Sequence, residues 1–237
     1  MASHLQPEIK DPGRRSLSKA PFNLSHIEAV EWAFNEQERI RKDNEPVALH
    51  AVTCVLLARL LVLDSFLQHF GEQMNPTAWL WIQLYPGYML QSDEIKTENV
   101  FMNFFYELLA IPQAVVAKGI RARMESIVAH LGLSVGSALP CFVDEAQILF
   151  TQFSGCFSSH EASLENNIGR SLFSVALRAF SYNVQGPVFA GTGMRLQEAT
   201  DALASAAMGK HPGSEGRVYA DLPSLKGEAC VQYLSRY

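Results

Sequence analysis

The chain has 237 residues, of which 48% are hydrophobic and 18% charged, and its formal net charge is −5. That composition suits one large folded domain, or one domain with an appendage, and excludes global disorder. The acidic balance speaks against nucleic acid as a partner, because a phosphate backbone is met by clustered lysine and arginine.

Residues 1–22 hold Pro7, Pro12, Gly13 and Pro21 among scattered charges and read as a mobile leader. No apolar segment follows Arg14-Arg15, so no secretory signal is expected. From 23 to 237 a single domain is expected: a helical part over 23–135, a βαβ part over 138–208 and an irregular tail over 209–237. Ser25 and Glu28 form a capping box for a helix running to about Lys42, and Asp43-Asn44-Glu45-Pro46 breaks it. A second helix, from about Val47 to Phe70, is apolar nearly all round and reads as central and buried. Arg59 and Asp64 interrupt its apolar run, so the charge-free part is too short for a membrane span.

Asn75-Pro76 is a helix start, with asparagine as N-cap and proline at the first helical position. The aromatic segment that follows, Thr77 to Tyr85, would also suit a strand, and helix is the preferred reading. Two further helices are expected over Glu98–Leu109 and Val115–Leu131, separated by Ile111-Pro112. Then comes a buried strand ending Phe142-Val143, a short helix to about Gln152 and a serine-rich loop. A helix over Asn166–Phe180, a second strand over Val188–Ala190 and a helix over Met194–Met208 complete the pattern. The fold class is therefore α/β, a short parallel sheet under heavy helical cover with a largely helical N-terminal half.

The chemistry concentrates where the first strand ends, at Asp144-Glu145, with Gln147 just beyond. An apolar strand that delivers two acids to a sheet's carboxyl edge suits Mg²⁺ held by Asp144 and water polarised by Glu145. The same residues also describe a plain helix start, with Asp144 as N-cap and Glu145 in the first turn. Gly191-Thr192-Gly193, where the second strand ends, places a hydroxyl near the same edge, or is simply a glycine-rich turn. Arg170, Arg178 and Arg195 are candidates to approach nucleotide charge, though such residues are more often solvated helix positions. The loop G-x-x-x-x-G-K-[ST] occurs nowhere; Gly13 to Lys19 lacks its second glycine and the preceding strand. The four cysteines, Cys54, Cys141, Cys156 and Cys230, form no CxxC pair or zinc spacing, and reduced thiols in a cytoplasmic or nuclear compartment are the simple inference.

Phe142 to Gln147 resembles the Walker B segment of AAA-related P-loop NTPases of the STAND class. Val188 to Met194, with Ser205 to Lys210 after it, is similar to the sensor-strand region of fungal and oomycete proteins related to Crinkler effectors and retrotransposon-hot-spot-like NTPases. Trp79 to Pro86 resembles a run that precedes the Walker B strand in the fungal members. The resemblance covers roughly residues 50–220. It implies an intracellular ATP-binding domain in which Asp144 binds Mg²⁺, Glu145 is the catalytic base and Thr192 the sensor, with Gln147, Gly191 and Arg195 near the nucleotide. The missing phosphate loop implies a truncated or degenerate member, with Mg²⁺-dependent ATP hydrolysis weak or lost. The alternative is a non-catalytic, effector-like scaffold on the same fold that binds a protein partner.

Overall fold

The computed structural model describes residues 10, 26–71, 75–86, 99–134, 137, 139, 141–151, 153–158, 169–184 and 187–191, with backbone alone over 26–34. The expected leader (Lys10 apart), the helix over Met194–Met208 and the tail lie outside them.

The first element corrects the sequence reading. Two helices separated at Pro46 were expected, and one helix of 45 residues, α1 (His26–Phe70), runs through it. An interior proline removes one backbone hydrogen bond and crowds the preceding turn, at a cost of about 3 kcal/mol. Tertiary polar contacts flank the proline and hold the helix through it. Buried Arg41 pairs with Glu38 at 2.6 Å and donates to the Gly155 carbonyl at 2.9 Å. Buried Asn44 donates to the Cys156 carbonyl at 3.0 Å and exchanges two hydrogen bonds with the Lys10 backbone. The Glu45 carboxylate takes both Arg170 at 2.8 Å and Arg178 at 2.5 Å. These partners lie far along the chain, so a local signal could not reveal them.

The next helices follow their caps. In α2 (Pro76–Leu84), Asn75 accepts the Thr77 N–H at 2.9 Å, with Pro76 in the first turn. The aromatic segment is therefore helical. It buries Ile82 and sets Trp79 against Phe66, while Leu80, Trp81, Leu84 and Tyr85 stay exposed. In α3 (Val100–Leu109), Asn99 caps through the Phe101 N–H, which fixes the start at Val100. Arg59 of α1 donates to Gln83 and lies over the Phe101 ring, joining α1 to both helices. After Pro112, α4 (Gln113–His130) lies along α1 and turns Val116, Ile120 and Ile127 into the main core with Cys54, Leu57, Leu60 and Leu67. Burial pushes the Cys54 thiol up to about 11, and Cys54 and Cys141 form no disulfide.

The βαβ part is shorter than expected. Strands β1 (Phe142–Val143) and β2 (Val188–Phe189) pair in parallel, Phe142 opposite Val188 and Val143 opposite Phe189. Between them lie α5 (Ile148–Thr151) and α6 (Leu172–Asn183). The helix expected from Asn166 begins later because Arg170 is extended, bridged antiparallel to Phe157. Phe150 stacks on Phe173 and Phe189 meets Phe173 edge-on, so one face of the strand pair is packed. The other face is open: Phe142 is 71% exposed, which corrects the expectation of a fully buried strand. The described residues are thus mostly helical, with a two-stranded parallel sheet at one side.

By length and composition alone, one stretch of α1 is apolar enough to cross a bilayer. In the structure it is the surface on which α3, α4 and α6 pack. Its Asp64 is fully buried and accepts hydrogen bonds from Arg123 at 2.7 Å, Ser126 at 2.7 Å and Gln68 at 3.0 Å. Burial works to raise the Asp64 carboxyl pKa, and the bonds from Arg123 and Ser126 outweigh it, so the net shift is downward.

Two predictions follow from α1. Pro46→Ala restores a helical hydrogen bond and should stabilise the protein by about 1–3 kcal/mol in denaturant melts. A neutral result would mean that Pro46 starts a separate helix. Asp64 titrates lower folded than unfolded, so its contribution is full above about pH 4 and fades as pH falls through the folded value. Asp64→Asn should cost roughly 1–3 kcal/mol at pH 7, and the gap to the parent chain should close on acidification towards pH 2.

Candidate functional site

The carboxyl ends of β1 and β2 are sewn together beyond the strands themselves. The Ala190 N–H donates to the Val143 carbonyl at 2.9 Å, and the Ala146 N–H donates to the Ala190 carbonyl at 2.8 Å. The chain therefore turns around Ala190 as it leaves β1, and Ala146 is fully buried at the bend. Asp144 and Glu145 occupy the outside of that bend and face solvent.

Glu145 has a φ of 55°, a left-handed conformation that is uncommon for a residue with a side chain. Its carboxylate accepts a hydrogen bond from the Gln147 amide at 2.5 Å, and its own N–H donates to the Asp144 carboxylate at 2.8 Å. The plain helix-cap reading fits this poorly. Asp144 bonds the N–H of its immediate neighbour, whereas an N-cap oxygen bonds an N–H two or three residues on. The first N–H groups of α5 bond instead to the Glu145, Ala146 and Gln147 carbonyls.

Gly191 closes the arrangement from β2. A side chain there would collide with the Gln147 side-chain amide oxygen and would lie 3.0 Å from the Gln147 backbone nitrogen and 3.2 Å from that of Ala146. The sequence marked Gly191 as part of a turn; its actual reason is this close approach. The Gln147 oxygen is buried and has no hydrogen-bond partner.

The structure thus brings Asp144, Glu145, Gln147 and Gly191 to one edge. Thr192, Gly193 and Arg195 lie outside the described residues. Arg170 and Arg178 are not at this edge in function, since both are bound to Glu45 of α1. His50 bonds the Leu109 carbonyl, and among the described residues no group of three or more His, Cys, Asp or Glu side chains is placed to hold a metal. Sequence reasoning missed the set of buried Glu38, Arg41 and Asn44 with half-buried Glu45. Its trace was there, in Glu38, Arg41 and Glu45 spaced three and four apart on one helical face.

The donor set suits one part of the implied ligand and not another. Mg²⁺ is commonly held by one or two carboxylates, with waters and phosphate oxygens completing its shell, so Asp144 with Glu145 fits a metal. A polyphosphate needs a cradle of backbone N–H groups and a lysine, and the sequence contains no such loop.

The close packing at Gly191 gives a direct test. Gly191→Ala should cost about 1–3 kcal/mol by overpacking, and Gln147→Ala in the same chain should recover part of that loss in a double-mutant cycle. Additive losses in thermal melts would mean the two residues do not touch. No protein-family model, curated protein or solved structure matches this chain.

Proposed function

We propose that this chain is an ATP-binding domain of P-loop NTPase ancestry, in which Asp144 holds Mg²⁺ and Glu145 is the base, with hydrolysis weak or lost. One observation carries the reading: two adjacent carboxylates sit at the shared carboxyl edge of a parallel strand pair, in a backbone conformation that a helix cap does not require. That edge is where open α/β sheets bind their ligands. The buried, unpartnered Gln147 oxygen beside them adds support, because such an atom calls for a donor such as metal-bound water. Weak affinity follows from the missing phosphate loop, which normally supplies the strongest β- and γ-phosphate contacts.

The second reading is a non-catalytic protein-binding scaffold of the same descent. It is favoured by the exposed apolar face of α2, where Leu80, Trp81, Leu84 and Tyr85 stand together in solvent.

Calorimetric titration with Mg-ATP separates the two. On the nucleotide reading, Mg-ATP binds saturably, Asp144→Asn weakens it, and at one hundred times Kd the fold gains about 2.7 kcal/mol. If folded protein gives no heat at millimolar ATP, the nucleotide reading fails and the scaffold reading stands.

A further inference from the structure

The last turns of α6 face α1 and α4. There α1, α4 and α6 leave a crevice of about 250 Å³ between them. Leu49, Ala117 and Ala179 give its lining an apolar part, and Arg121, Gln113 and Tyr182 line it as well. Two other polar groups are already engaged within their own helices: Thr53 donates to the Leu49 carbonyl and the Asn183 amide to the Ala179 carbonyl. Arg121 is the single charged residue of the lining, and among the described residues it has no ion-pair partner.

We propose that this crevice binds a compact organic monoanion, a short-chain carboxylate whose apolar tail rests on Leu49, Ala117 and Ala179 while its head meets Arg121. A guanidinium presents a planar fork that matches a carboxylate through two parallel hydrogen bonds. One such fork beside an apolar lining selects a single negative charge on an apolar body. The volume is below the range typical of drug-sized ligands, which favours a compact ligand over a nucleotide. Asp144, Glu145, Gln147 and Gly191 take no part in its lining. The proposal is therefore independent of the nucleotide reading.

The test is titration of the full chain with sodium hexanoate at constant ionic strength, followed by amide chemical shifts, with hexan-1-ol as the uncharged control. Saturable shifts confined to the facing turns of α1, α4 and α6 are expected, with no saturation by the alcohol. Arg121→Gln, an exposed position, should weaken hexanoate at least about tenfold. Ala117→Leu keeps the charge and fills the apolar part of the lining, and should abolish binding. The proposal is overturned by non-saturating shifts, by equal binding of the alcohol, or by binding that survives both substitutions.

Discussion

The structure depends on a polar clamp across the proline of its longest helix. Glu38, Arg41, Asn44 and Glu45 sit on one side of α1, and their partners come from Gly155, Cys156, Ser158, Arg170 and Arg178. Removing such groups from water is costly, and mutual attraction repays it only where the remaining hydrogen bonds are satisfied. Here most are. Arg41 is bound on two sides, Glu45 accepts two guanidinium groups, and the Asn44 amide is bound at both its oxygen and its nitrogen. A clamp of this kind specifies geometry more than it adds stability. It determines which turn of α1 faces the 153–158 segment and the start of α6, and so where the crossover between the two strands must run.

The crossover shows how tight that specification is. Gly155 has a φ of 73°, which a residue without a side chain adopts at little cost, and its carbonyl is the one Arg41 holds. Gly169 approaches from the other direction. A side chain there would lie 2.6 Å from the Gly155 carbonyl carbon and 2.8 Å from the Arg41 nitrogen. Two glycines and one arginine thus fix the point at which the chain turns back towards α6. From there Phe173, Phe180 and Phe189 carry the alignment to the strand pair through ring contacts. The position of Gly191 against Gln147 is the far end of this chain of contacts.

What was legible in the sequence was local. Asn75-Pro76 announced a helix, Ile111-Pro112 separated two more, and two apolar runs with a helix between them implied parallel pairing. Each of those signals acts within a few residues of where it is read. What was not legible was long-range. Pro46 reads as a break until Arg170 and Arg178 reach Glu45 from more than a hundred residues away. The delayed start of α6 depends on Arg170 pairing with Phe157, and the strand ends depend on packing against α6. At the site, the residue types were readable, since paired acids after an apolar run stand out. Their conformation was not. Nothing local distinguishes a helix cap from a left-handed glutamate held by Gln147.

That left-handed glutamate bears on whether the acidic edge is incidental. A residue in a sparsely populated conformation costs of order 1–3 kcal/mol and persists only where its surroundings over-determine it. At Glu145 they do: Ala146 is tied to Ala190, Gln147 holds the carboxylate, and Gly191 leaves room for Gln147 and nothing larger. A sequence that needed only to start α5 would meet less strain with an ordinary cap and a first-turn acid. The contacts instead hold both carboxylates outward at the strand ends, with a bare amide oxygen beneath them. On the reading proposed above, a metal at the two acids would bring water that could satisfy the oxygen. On the nucleotide reading proposed above, this edge is one half of a binding site, and the phosphate cradle is the half that the sequence does not supply.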